Sequence, residues 1–255
     1  MMTEDLLVDQ SGAILTVTFN RPKQRNAMTW DMYQGLQEAC ERADADEQIR
    51  VLVLRGAGGE AFVAGTDIGQ FTEFDGPRGV EYEHQISTIL GRLAAVNIPV
   101  VAAVEGFCIG GGLGLASVAD IRICNPSAQF GVPIARTLGN CLSIGTLSVL
   151  SELLGRSRTS DLLLTARLMP AEEAVQCGYV TTVTDDVDGE LAKITGRLTN
   201  NAPLTMWAIK EGLRRLNGAN EVDDEDIVKT VYGSEDFSNA VHAFLNKRKP
   251  QWAGR

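Results

Sequence analysis

Residues Phe107-Cys108-Ile109-Gly110-Gly111-Gly112-Leu113-Gly114 follow the apolar run 99–104 and lead into the small-residue stretch 113–119. A β-branched run, a cluster of glycines and then helix-compatible residues predict a buried strand, a tight turn and a helix start. Such a turn presents backbone N–H groups where negative charge is favoured. Glycine suits it because side chains would block close approach of a ligand to the backbone, and because φ > 0 is often required there. The run reads as a place to hold an anion or an oxyanion. It also fits a turn that only packs tightly, since glycine motifs recur by chance.

Either side of this run the pattern is strand, helix, strand. Residues 120–124 form the next strand. Upstream, 13–20 alternates and is rich in Val, Ile, Thr and Phe, which predicts a strand that Arg21-Pro22 ends. Thr29 is placed to cap a helix over 30–43, and 50–55 is a second buried strand. A helix over 80–96 carries Ile86, Ile89, Leu90 and Leu93 as its apolar stripe. Between these, the segment 56–68 is expected to be a glycine-rich loop turning into a short helix, and 70–79, with Gly76-Pro77, a mobile loop. Beyond residue 140 the spans 143–154, 157–165, 171–176, 189–201, 204–217 and 234–247 read as helices, with 180–183 as the strand candidate. The fold class is α/β with crossovers, followed by a helical region.

The chain's 255 residues suffice for a large core, and 44% hydrophobic with 22% charged residues is an ordinary globular balance. A net charge of −10 argues against a general nucleic-acid binder. No apolar run reaches membrane-spanning length, and MMTEDLLVDQ lacks the basic and apolar regions of a signal peptide, so a cytoplasmic protein with no membrane partner is expected. Five cysteines without a CxxC pair suggest neither a disulfide framework nor a zinc site, and two histidines, His84 and His242, make a histidine-rich metal site unexpected.

Six landmarks resemble the enoyl-CoA hydratase/isomerase family, or crotonase superfamily, in the family's order. They are Asn20-Arg21-Pro22 with Asn26-Ala27-Met28; AFVAGTDI at 61–68; PVVAAVEGFCIGGGLGLASVADIRI at 99–123; Ala128-Gln129-Phe130-Gly131; LLLTARLMPAEEAVQCGYV at 162–180; and EDFSNAVHAFLNKRKP at 235–250. The resemblance implies a crotonase-like spiral of ββα units over 1–195, a C-terminal helical oligomerisation region over 196–255, and assembly as a homotrimer or dimer of trimers. It implies acyl-CoA thioester substrates, coenzyme A entering as part of the substrate rather than as a permanently bound cofactor, and an oxyanion hole for a thioester enolate. Carried over by position, that hole is formed by the N–H groups of Ala64 and Gly111. The resemblance further assigns Ala64, Gly65, Thr66, Asp67 and Ile68 to the cofactor's pantetheine and adenine end and Lys247 to its nucleotide, with Lys23 and Arg25 as further candidates for its phosphates. Asp67 reads equally as a helix N-cap, and Lys247 as a solvated charge.

Two positions break the pattern. A typical hydratase has two glutamates that handle water and the α-proton as an acid and base pair; the corresponding positions here are Gly114 and Ile134. Hydration of a 2-enoyl-CoA stays the family default. The alternatives are an isomerase or decarboxylase of the same fold, or an acyl-CoA binder without catalysis. Replacement groups are sought in Asn140 and Cys141, where 4-chlorobenzoyl-CoA dehalogenases carry an aspartate after the Gly-Asn pair, in His84, and in Glu73, Asp75 and Glu81. Cys141 also reads as packing and His84 as a surface residue.

Overall fold

The computed structural model describes residues 4–67, 75–216, 226, 229, 230 and 233–255. Ile68, Glu73 and the side chain of His242 lie outside the described residues. In chain order the elements are β1 (Leu6–Ser11), β2 (Ile14–Phe19), α1 (Trp30–Ala45), β3 (Val51–Gly56), β4 (Ala61–Ala64), α2 (Gly76–Ala94), β5 (Val100–Val104), β6 (Phe107–Ile109) and α3 (Gly111–Ser117). There follow β7 (Ile121–Cys124), β8 (Gln129–Gly131), α4 (Ile144–Thr165), β9 (Met169–Pro170), α5 (Ala171–Gln176), β10 (Thr182–Val183), α6 (Val187–Asn200), α7 (Pro203–Leu216) and α8 (Glu235–Leu245).

Among the described residues the strands form a six-stranded sheet ordered β1-β2-β3-β5-β7-β10 and a four-stranded sheet ordered β4-β6-β8-β9. Consecutive strands β3 and β4, β5 and β6, and β7 and β8 therefore step from the first sheet to the second, and each pair is followed by a helix. This is the ββα spiral. Within the first sheet β3, β5 and β7 are parallel, and their alternate residues serve two cores. Leu52, Leu54, Val100, Ala102 and Val104 face the main core, while Val51, Val53, Val101, Ala103 and Ile123 pack on Val187 and Ile194 of α6. Strands buried on both faces read as continuous apolar runs, which is why they were legible.

Three expectations change. The segment 61–64 is a strand, β4, because Ala61, Phe62 and Val63 are all buried between the sheets, and four residues are too few to show a period. Residues 76–79 open α2 rather than a loop, with Asp75 as N-cap accepting from the Arg78 N–H at 3.0 Å and Pro77 in the first turn, where its missing N–H costs nothing. The spans 143–154 and 157–165 run on as α4 with a kink at Gly155, whose φ of 74° and ψ of 149° are non-helical. Thr29 caps α1 as expected, accepting from the Met32 N–H at 3.3 Å.

Gly112 shows how tightly the two sheet ends are fitted. A Cβ there would lie 2.0 Å from the Val63 carbonyl oxygen, a backbone atom that cannot swing aside. Gly112→Ala is expected to lower stability by about 3 kcal/mol or more, at or above the upper end of the usual cost of overpacking. Urea unfolding of the purified variant measures this, and a midpoint equal to wild type would contradict the packing.

Candidate active site

Parallel β4 and β6 are neighbours, with Ala64 opposite Ile109, so the chain leaves both strands side by side. From β4 it passes through Gly65, whose φ is +89°, to Thr66; from β6 it passes through Gly110, with φ +58° and ψ −120°, to Gly111 at the head of α3. Glycine is required at Gly110 for that backbone conformation, and a Cβ there would be in van der Waals contact with the Gly65 Cα, at 3.4 Å. The two turns therefore touch, and together they wall a cavity of about 230 Å³ whose other sides come from α2 and the segment 132–142.

Accounting for the N–H groups of these turns singles out two. Ala64 N–H donates to the Arg25 carbonyl at 3.0 Å, Asp67 N–H to the Met28 carbonyl at 2.9 Å, and Gly110 N–H to the Gly131 carbonyl at 2.9 Å. The N–H groups of Thr66 and Gly111 take no partner among the described residues, and both residues line the cavity. This corrects the carry-over to Ala64: its N–H is consumed in closing the β2–α1 loop onto β4. The free donor comes two residues later, because Gly65 and Asp67 on either side of Thr66 are turned to Met28. The Gly111 N–H, by contrast, is open at the cavity wall. With seven residues, α3 is short, so the donors themselves matter more than any helix dipole.

Thr66 is held by its side chain. Its Oγ1 lies 3.0 Å from the Tyr33 hydroxyl and 2.8 Å from the Tyr82 hydroxyl, and Trp30 packs against both rings at 5.8 and 5.7 Å. Burial, the largest influence, raises both phenols, Tyr33 the more strongly, so they remain protonated hydrogen-bonding groups. From below, Arg21 donates to the Ala27 carbonyl at 2.8 Å and pairs with Asp67 at 3.1 Å, and buried Asn26 donates to the Ala57 and Ala61 carbonyls at 3.0 and 2.7 Å. The Asn-Arg-Pro and Asn-Ala-Met landmarks are braces for the turn that carries Thr66.

Across the cavity stand Gly114, Ile134 and Glu83. Gly114 is buried, and a Cβ on it would lie 3.2 Å from Leu90 Cδ1. Behind it a second cavity of about 200 Å³ continues between α2, α3 and α4, lined by apolar residues such as Ala94, Val118 and Val149. Glu83 is half-buried on the inner face of α2; its Oε2 accepts the Ser143 N–H at 2.9 Å, and burial is the main cause that raises its pKa above the ordinary carboxylate range. Sequence reading passed over this residue, although it sits three positions before Ile86 and seven before Leu90, on the continuation of the apolar stripe.

Other expected groups stand elsewhere. His84 is exposed and lines an outer cavity of about 650 Å³ with Arg78 and Glu81, because one residue along a helix rotates the side chain by about 100° and Glu83 takes the inward place. Asn140 lines the inner cavity, whereas Cys141 is exposed and off its wall, so the nucleophile reading of Cys141 fails on position. Arg25 pairs with Glu60 at 2.7 Å and lies 5.1 Å over the Phe107 ring, which gives its charge a local partner. Lys23 and Lys247 are exposed without an ion pair among the described residues.

A family model described as enoyl-CoA hydratase/isomerase matches residues 9–255. The chain belongs to that family. It is 30% identical over 256 residues to a short-chain-enoyl-CoA hydratase of Clostridium acetobutylicum, covering 98% of this chain and 97% of the relative. It is 33% identical to a carnitinyl-CoA dehydratase of Salmonella arizonae over 266 residues, covering 99% and 100%. Among solved structures, an enoyl-CoA hydratase/carnithine racemase from Magnetospirillum magneticum superposes with a TM-score of 0.93 at 33% identity, over 100% of this chain and 97% of that one. The ββα spiral is thus the fold of this enoyl-CoA hydratase/isomerase family member, and the chain is an enzyme of that family. No helix among the described residues is long and apolar enough to cross a membrane.

Proposed function

We propose that this enzyme binds an acyl-CoA thioester, holds the oxygen of its enolate on the N–H groups of Thr66 and Gly111, and moves a proton on the acyl chain without adding water. The observation that carries the reading is the pair of unpartnered donors on adjacent turns at one cavity. Fixed donors aimed at an oxygen that gains charge are the largest single aid to this chemistry, each worth about 3–4 kcal/mol in well-studied cases. The names of the relatives favour hydration. The cavity favours double-bond isomerisation, because Gly114 and Ile134 stand at both positions where the family pattern has glutamates and neither can carry a proton. The apolar cavity behind Gly114 suits the hydrocarbon part of the acyl group.

Assembly as a trimer or dimer of trimers remains part of this proposal. It is supported by α7, where Ile209, Leu213 and Leu216 recur at helical spacing and are each more than half exposed in the single chain.

The test is the spectrum of acetoacetyl-CoA, whose enolate forms unaided in water and absorbs in the ultraviolet. Binding to the protein is expected to raise the enolate band at constant pH. Binding with no change in the band would leave a thioester binder without an oxyanion hole.

A further inference from the structure

We propose that Glu83 is the group that takes and returns the proton on the carbon beside the thioester carbonyl, a role resting on the enolate reading above. The ionisable side chains on the described wall of the inner cavity are Tyr82 and Glu83. Tyr82 is held by Thr66 Oγ1 at 2.8 Å, and burial raises the affinity of its phenol for the proton further above that of an ordinary tyrosine. Glu83 differs on both counts. One oxygen, Oε2, is fixed by the Ser143 N–H at 2.9 Å, and the other, Oε1, takes no hydrogen bond among the described residues. The carboxylate is thus oriented by one atom and open at the other, on the same cavity as the Thr66 and Gly111 donors. Its burial, which outweighs the opposing Ser143 hydrogen bond, shifts its proton affinity toward that of a base that works near neutrality.

The step balances without a co-reactant. Oε1 forms a bond to the α-hydrogen as that C–H bond breaks, and the electron pair passes into the enolate, whose oxygen rests on Thr66 and Gly111. Return of the same proton to the α-carbon restores the ester. Return at the γ-carbon of a 3-enoyl ester yields the 2-enoyl isomer. One carboxylate suffices, in agreement with the apolar Gly114 and Ile134.

A purely structural role is the competing account, since Glu83 also ties α2 to the start of α4 through Ser143. Glu83→Gln separates the two, because the amide oxygen still accepts the Ser143 N–H but cannot carry the proton. The measurement is deuterium uptake at the α-carbon of butanoyl-CoA in deuterium oxide, alongside affinity for acetoacetyl-CoA and circular dichroism. Wild type is expected to exchange, and folded Glu83→Gln to do so at least about 100-fold more slowly with affinity within about threefold. Glu83→Ala is a second variant with the same expected loss. Exchange at the wild-type rate in either folded variant overturns the assignment. A wild-type protein that raises the acetoacetyl-CoA enolate band yet exchanges no α-hydrogen overturns Glu83 alone. Absence of both the band and the exchange removes the enolate reading and the base with it.

Discussion

Gly111→Val is expected to fold normally and to lose about 10²-fold or more of whatever enolate chemistry the enzyme performs. The backbone permits a side chain, since Gly111 is not among the glycines with positive φ. Its Cβ would lie 2.9 Å from the Tyr33 hydroxyl and 3.6 Å from Thr66 Oγ1, and the valine methyls reach further. What must yield is the hydroxyl end of buried Tyr33, not a carbonyl as at Gly112, so circular dichroism should be unchanged while the stability read from the unfolding midpoint falls by an ordinary overpacking cost of about 1–3 kcal/mol. The damage falls on function in two ways. The methyls crowd the space where the thioester oxygen is proposed to sit, and a displaced Tyr33 hydroxyl releases the Thr66 side chain that it holds at 3.0 Å. The acetoacetyl-CoA band and α-deuterium exchange should therefore fall together. An undiminished rate in the folded variant would mean that the glycine turn only packs.

Crotonyl-CoA hydration is the second large expected effect, by its weakness. Adding water across the double bond needs a group to activate water and a group to deliver the α-proton, and each such group contributes about 10²- to 10⁴-fold. With Gly114 and Ile134 in the two places, turnover is expected at least about 10²-fold below the 10 s⁻¹ of an ordinary enzyme. Loss of absorbance at the enoyl band as water adds measures it directly, and robust turnover would show a second acid or base that the described residues do not display. Gly114→Glu is not expected to restore hydration by itself. Its Cβ would already stand 3.2 Å from Leu90 Cδ1, and the carboxylate would have to be accommodated beside a largely apolar cavity.

The parts of this enzyme that were legible in sequence share a physical cause. Strands β3, β5 and β7 are buried on both faces and betray themselves by continuous apolar runs, and α1 announces its start with Thr29. The glycine triplet was readable because Gly110 needs a positive φ and Gly112 has no room for a Cβ. Strands β4, β6 and β8 were not readable as strands, since three or four residues show no period. The Thr66 donor was missed for a different reason. Which N–H of a turn stays free depends on the carbonyls around it, here those of Arg25 and Met28, some forty residues earlier in the chain and invisible in the motif itself. Glu83 is not marked by any motif, and what places it is the helical period of α2, which sets its side chain on the same stripe as Ile86 and Leu90.

The step from one sheet to the other after β3 and after β5 has a consequence for how such an enzyme tolerates change. It makes β4 and β6 ladder partners, so the separation of the two turns that end them is governed by the inter-strand spacing of about 4.8 Å. That distance is a constant of the backbone and owes nothing to the identity of any side chain that chemistry would notice. On the reading proposed above, substitutions at Gly114, Ile134 or Glu83 would rewrite which proton moves and what enters the pocket, one residue at a time, while the proposed grip on the oxygen stays in register. Activation and reaction choice would then be inherited separately: the first with the hydrogen-bonded ladder, the second with a handful of replaceable wall residues.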